Sequence, residues 1–184
     1  MAIERVELLL KKTAVALDTA GVQYAVVGGN AVAAWVSTRD PDAVRATKDV
    51  DLLMRRESLP KATEALLRVG LVPAEVMGVH MFVDRDDPSP KRGVHVVIAN
   101  EKIRPHYSHS APDPSSAVAI AAGIRVIDLP SLIAMKLQSF RDVDRTHIRD
   151  MLAVGLIDDS VRKSLPADLG QRLVEIEANP EETN

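Results

Sequence analysis

The sequence predicts an α/β (α+β) domain, a mixed β-sheet flanked by helices and followed by a C-terminal helical segment. Three observations predict it. Short β-rich apolar runs such as "VQYAVV" and "GVHVVI" are interspersed with stretches of helical periodicity over residues 1–129. From Pro130 onward the pattern turns helical. The 184 residues are 46% hydrophobic and 27% charged, the balance of a globular chain long enough to bury a core.

Val6, Leu9, Leu10, Ala14 and Leu17 recur at helical spacing, so the chain opens with an amphipathic helix that Gly21 ends. "VQYAVVGG" is a buried strand closed by glycines. "NAVAAWVSTR" follows as a helix with Asn30 as its N-cap. The polar connection "DPDAVRAT" leads to the strand "DVDLLM". Ser58 caps the helix "LPKATEALLRVG", which has Pro60 in its first turn and stops at Gly70. "GVHMFVD" and "GVHVVIAN", joined by the charged turn "RDDPSPKR", pair as a hairpin. "EKIRPHYSHSAPDPSS" is a long irregular segment suited to cover a site. "IRVIDLP" is a last strand, and the helices "PSLIAMKLQSF", "DVDRTHIRDMLAVGL" and "PADLGQRLVEIEA" follow. The tail "NPEETN" is expected to fray. The expected organisation is a core of residues 1–129 with a helical part, residues 130–184, packed on it as one unit.

Composition narrows the chemistry. The chain has no cysteine, which excludes disulfides, thiolate metal sites and Cys nucleophiles and suits a reducing cytoplasm. "MAIERVELLLKKTAV" reads as an amphipathic helix rather than a signal peptide, and no apolar run has the length to span a bilayer. A cytoplasmic chain with no membrane partner is therefore expected. The net charge of −3 argues against a surface coated in phosphate-binding cations, while leaving room for a local basic patch. Met77, Met81, Met135 and Met151 read as core filler and Trp35 as a packing residue. His106 and His109 read as loop residues rather than zinc ligands, since no third ligand stands nearby. His80 and His147 carry no motif.

The glycine pair raises the functional question. "GGNAVA" supplies neither the dinucleotide fingerprint nor the Lys-Ser/Thr of a P-loop. Two readings of Gly28-Gly29 remain: a tight turn without ligand, or a bend where phosphates approach backbone amides at a helix N-terminus. In "KDVDLLM", Asp49 and Asp51 lie two apart on a strand, so both carboxylates leave one face while Val50 and Leu52 point into the core. Such like charges repel unless a cation joins them, and Mg²⁺ suits one or two carboxylates together with substrate phosphates. The alternative is an exposed face carrying two solvated acids.

Together, "VVGGNAVAAWV" and "RATKDVDLL" resemble the nucleotidyltransferase superfamily, whose mark is a Gly-Gly or Gly-Ser turn followed by Asp-x-Asp on the next strand. The likeness extends to the abortive-infection (AbiEii-like) type and related small bacterial proteins. It runs through Arg45, Thr47, Asp49 and Asp51, and through "DLPSLIAMKLQSFRDVDRTHIRDML", covering residues 22–155. The resemblance implies a nucleotidyltransferase-like mixed sheet. It implies transfer of a nucleoside monophosphate from an NTP to an RNA, tRNA or protein acceptor, with Mg²⁺ as cofactor. Catalytic roles are implied for Asp49, Asp51, Lys136 and Asp150, with Asp49 and Asp51 holding the metal. Nucleotide contacts are implied for Gly28, Gly29, Asn30, Arg45, Thr47 and Arg141. A toxin–antitoxin or phage-defence role, with a cognate antitoxin as partner, is implied as well.

Without the resemblance, Lys136 reads as an exposed helical lysine and Asp150 as an ion-pair partner of Arg145 or Arg149. On one straight helix Lys136 and Asp150 would stand about 21 Å apart. Shared work therefore needs a break near Phe140 to Asp142, where Asp142 caps a new helix. Many superfamily members add a third carboxylate on a later strand. The equivalent position in "GVHVVIAN" is His95, which cannot supply that charge. His95 motivates a rival reading, a catalytically reduced protein that binds a nucleotide or a partner on the same fold. A small-molecule nucleotidyltransferase would need an acidic acceptor pocket, which is not evident in the sequence.

Overall fold

Helix α1 (Ala2–Thr19) buries Val6, Leu10, Thr13, Ala14 and Leu17, the inward stripe of an amphipathic helix. The computed structural model describes residues 2–120 and 123–179. After α1 come β1 (Tyr24–Val27), α2 (Gly28–Ser37), β2 (Val50–Met54) and α3 (Leu59–Leu67). Strands β3 (Leu71–Val76), β4 (Val79–Asp84) and β5 (Val94–Ile98) form an antiparallel meander. The short strands β6 (Val118–Ala119) and β7 (Arg125–Val126) precede helices α4 (Leu129–Ser139), α5 (Asp142–Ala153), α6 (Asp159–Ser164) and α7 (Ala167–Ala178).

Among the described residues the strands make one seven-stranded mixed sheet in the order β3-β4-β5-β2-β1-β7-β6. Strand β2 lies near its centre, antiparallel to β1 and parallel to β5. Val50, Leu52, Leu53 and Met54 are all 0% exposed, so β2 is enclosed on both faces, and each such side chain contributes about 1.5–3 kcal/mol of burial. Asp51 is the half-open exception in this strand. Helix α1 packs on α3 and β2, whereas α2 packs on β1, β2, α4 and α5. One hydrophobic cluster runs from Val6 in α1 to Ile176 in α7.

Several local expectations need correction. Strand β3 escapes the sequence reading because Pro73 and Glu75 interrupt its pattern; it is an edge strand, where a residue lacking an N–H costs little. The two-residue β6 and six-residue α6 are too short to leave a periodic signal. Helix α2 begins at Gly28 with Val27 as its cap, so Asn30 lies inside the first turn and does not cap it. Ser58 precedes α3 but its hydroxyl makes no capping bond, and Asp142 opens α5 without capping it. Met77 is no core residue: at the β3–β4 turn it is 97% exposed, while Met81 and Met151 are buried. Trp35 donates its indole N–H to the Ile127 carbonyl at 3.0 Å, pinning α2 to the segment after β7. The "NPEETN" tail lies outside the described residues from 180 onward.

The break between α4 and α5 falls at Phe140, whose backbone is left-handed at φ 53. That conformation costs a non-glycine residue about 1–2 kcal/mol. Compensation is visible: the Arg145 and Arg172 guanidiniums sit over the ring, 5.4 and 5.2 Å from its centroid. Arg172 also donates to the carbonyls of Leu137 and Gln138 at 2.9 and 2.8 Å, satisfying groups that a helix end leaves bare. Among the described residues no helix is long and apolar enough to cross a membrane.

Candidate active site

The antiparallel register pairs Val27 with Asp51, which sets this acid beside the bend that opens α2. Gly28 has φ +68, and a Cβ built there would lie 2.1 Å from Asp51 Oδ2 and 2.9 Å from its Cγ. The carboxylate fills space that only glycine leaves free. A Cβ at Gly29 would lie 2.7 Å from Thr47 Oγ1. Asn30 Nδ2 donates to the Asp49 carbonyl at 2.6 Å, and Thr47 Oγ1 donates to the same oxygen at 3.4 Å. The first turn of α2 and the entry to β2 are thus tied together around Gly28, Gly29, Thr47, Asp49 and Asp51.

His95 faces Asp51 across the parallel β2–β5 ladder, with Nδ1 3.4 Å from Asp51 Oδ1. Its Nε2 lies 3.0 Å from the Pro90 carbonyl, which can only accept, so Nε2 carries a proton. The hydrogen bond to Asp51 then favours a second proton at Nδ1 and raises the imidazole pKa against the opposing effect of burial. Asp49 adds to that rise through its charge, so both acids are electrostatically felt at this ring.

The α4–α5 break folds Lys136 onto Asp144. Lys136 Nζ donates to Asp144 Oδ1 at 2.9 Å, and Arg141 Nε donates to Oδ2 at 2.7 Å. Burial pushes the Asp144 pKa up, but the two cations outweigh it and hold the carboxyl at about 2. Lys136 is therefore buried, contrary to the exposed lysine read from the bare sequence. Arg141 has a side chain 68% exposed and is close enough to Asp51 for the acid's charge to act on it. Asp150 bonds Arg45 Nε at 2.7 Å rather than pairing with the arginines of its own helix. Arg145 pairs with Asp142, and Arg149 donates to the Asn179 carbonyl.

Two residues of this region carried no signal in the sequence reading. Asp144 is fully buried and lies in line with Ile148 and Met151 on the inward face of α5. An acid on an apolar stripe is the signal that could have found it. His147 packs its Cε1 3.8 Å from the position of a Gly29 Cβ, and the charges of Lys136, Asp144, Asp150 and Arg45 all act on it. The structure thus gathers Gly28, Gly29, Asn30, Thr47, Asp49 and Asp51 at one bend. Arg141 and His147 link that bend to the Lys136–Asp144 and Arg45–Asp150 pairs.

By sequence the chain matches no family model and no curated protein. By structure it is similar to the antibiotic-resistance factor ANT(2'')-Ia in complex with adenylyl-2''-tobramycin. That match has a TM-score of 0.54 and 16% identity, covering 95% of this chain and 98% of that one. A solution structure of ANT(2'')-Ia matches at TM-score 0.53 and 14% identity over 98% of this chain and 86% of that one. An antigenic nucleotidyltransferase-like protein from Paracoccidioides brasiliensis matches at 0.54 and 19%, over 95% and 86%. The fold is that of the nucleotidyltransferases.

On this nucleotidyltransferase-like fold the donor set can be tested against Mg²⁺. The Asp51 carboxylate lies in a cradle that a single Cβ at Gly28 would fill. Asp49 stands just ahead of β2, which begins at Val50 rather than at the Asp49 expected from "DVDLLM". Among the described residues no group of three or more His, Cys, Asp or Glu side chains is arranged around a common metal position. Two hard carboxylates fit an ion whose remaining ligands are water and phosphate oxygens.

His147 yields a first prediction. Burial, reinforced by Lys136, pushes its pKa down from 6.5 to about 4, so the folded protein binds this proton less tightly than the unfolded chain. Its contribution is whole above pH 6.5 and is lost as the pH falls toward 4. Urea unfolding at pH 7 and near pH 4 checks this. His147→Gln is expected to lose markedly less stability between the two conditions than the wild type does, and an equal loss would refute it.

Proposed function

We propose that this chain moves a nucleoside monophosphate from an NTP to a hydroxyl-bearing acceptor, with pyrophosphate as the leaving group. The observation that carries this reading is the Asp51 carboxylate seated against the Gly28 bend. An acid there meets phosphates held by the amides that start α2. Asp49 and Asp51 would hold Mg²⁺. The chemistry that Mg²⁺ supplies when bound is neutralisation of charge on the reacting phosphate and a lower pKa for an attacking hydroxyl.

The remaining roles follow from charge and exposure. Gly28 and Gly29 let the triphosphate approach the backbone, while Asn30 and Thr47 fix the loop that presents Asp49. Arg141 and Arg45, both largely exposed, meet phosphate oxygens as planar donors. Lys136 serves through Asp144, which it holds in place for Arg141. Asp150, joined to Arg45, positions the acceptor hydroxyl. For the acceptor, the sequence resemblance supports RNA, tRNA or protein, within a toxin–antitoxin or phage-defence pair having a cognate antitoxin.

His95 favours a second reading, a nucleotide-binding protein with reduced catalysis, because its Nδ1 lies 3.4 Å from one oxygen of the Asp51 carboxylate and engages a group that would hold the metal. Transfer assays separate the two. NTPs labelled at the α-phosphate are incubated with Mg²⁺ and, in turn, with total cellular RNA, purified tRNA, a protein lysate and tobramycin. Label on an acceptor, lost in Asp51→Asn, is the expected result. NTP binding without transfer to any of these acceptors would favour the second reading.

A further inference from the structure

Helices α1 and α3 enclose an open groove of about 590 Å³, none of whose lining residues belongs to the site above. Leu8, Val15, Ala16, Ala65 and Val69 make an apolar floor. Leu8 and Val15 remain 67% and 57% exposed although they occupy a regular helix, so among the described residues nothing packs over this face of α1. The rim is different in kind. Lys11, Lys12 and Arg68 line it, and no Asp or Glu does among the described residues. A groove walled by three cations on a chain of net charge −3 is a local reversal of sign.

We infer that this groove docks an acidic amphipathic helix of a partner protein. Apolar side chains at spacings of three, four and seven would enter between Leu8 and Val15, the helical repeat that the α1 face itself displays. Flanking Asp and Glu side chains would meet Lys11, Lys12 and Arg68, which sets orientation and discriminates against basic partners. A second copy of this chain fits poorly, because a self-complementary contact would bring the lysines of α1 against one another. Nucleic acid fits poorly too, since its phosphates would match the rim but leave the apolar floor uncovered.

The test uses a fluorescein-labelled amphipathic helix of about 18 residues, five turns, bearing Leu on one stripe and Glu beside it. Its control carries Lys in place of every Glu. Fluorescence anisotropy on the full chain is expected to show saturable binding of the Glu peptide alone. Lys11→Glu and Val15→Asp, both at exposed positions, are expected to weaken it by about tenfold or more with unchanged circular dichroism. Amide shifts on titration should cluster at Leu8, Val15 and Ala65. The inference is overturned by equal binding of both peptides, or by equal binding to wild type and variants. Absence of saturation below about 1 mM overturns it as well. So does self-association by sedimentation, or capture by phosphatidylserine vesicles, in place of peptide binding.

Discussion

Gly28→Ala is expected to reduce nucleotidyl transfer by about 100-fold or more, since a misplacement near 1 Å already has that effect. The new methyl would begin 2.1 Å from Asp51 Oδ2, so the carboxylate must swing away from the bend. A second cost comes from the backbone. At φ +68 an alanine loses about 1–2 kcal/mol relative to glycine. Gly170→Ala in α7 is the matched control, because nothing lies within 4 Å of its added Cβ. There alanine should raise stability by up to about 1 kcal/mol, the usual helix-interior preference, and leave transfer intact. Comparing the two variants by label transfer and by urea unfolding checks the account. Full transfer in Gly28→Ala would mean that the carboxylate need not sit at the bend.

Asp144→Ala is expected to be the most destabilising single change, costing about 3–5 kcal/mol because it strands a buried ammonium. With total stabilities of about 5–15 kcal/mol, that is a large share of the whole. The penalty arises because only one partner of the pair is removed. Lys136→Met with Asp144→Leu removes both buried charges, and should recover much of the loss by replacing a desolvated pair with apolar packing. Transfer should not recover with it, because Arg141 would still lack the carboxylate that anchors its guanidinium. Urea unfolding and label transfer on the single and double variants separate these effects. A double variant no more stable than Asp144→Ala would contradict the proposed pairing. The acid limb follows from the same pair: Asp144 contributes in full above its unfolded value of 3.8 and loses that contribution as the pH falls toward about 2.

What could be read from the residues follows from how local each feature is. Asp51 was legible as an outward acid between core residues of a strand, and Gly28-Gly29 because few residues tolerate such a bend. Asp49 precedes the strand, and its place on the same face does not follow from strand alternation. His95 was singled out by the resemblance, as the position where many superfamily members carry a third carboxylate, and the β2–β5 register sets it beside Asp51. The requirement for a break between Lys136 and Asp150 was pure geometry, and the left-handed Phe140 provides it. The partners of the charged residues were not legible. Arg45 and Asp150 are separated by 105 positions, and no spacing rule connects them. Arg145 and Arg149 are the nearest cations to Asp150 in sequence, but Asp150 pairs with Arg45 instead. Asp144 was not legible because an aspartate in a charged run reads as surface, and only its alignment with Ile148 and Met151 marks it as buried. Strand β3 was hidden by Pro73, a residue that an edge tolerates and a central strand does not.

The central claim is that Asp49 and Asp51 bind a divalent ion jointly with a triphosphate at the Gly28-Gly29 bend. Isothermal titration of a non-hydrolysable NTP into the full chain, with and without Mg²⁺, tests it most directly. Binding that requires Mg²⁺ in the wild type and disappears in Asp49→Ala/Asp51→Ala is the expected result. Binding indifferent to Mg²⁺, or equal in the two proteins, would contradict it.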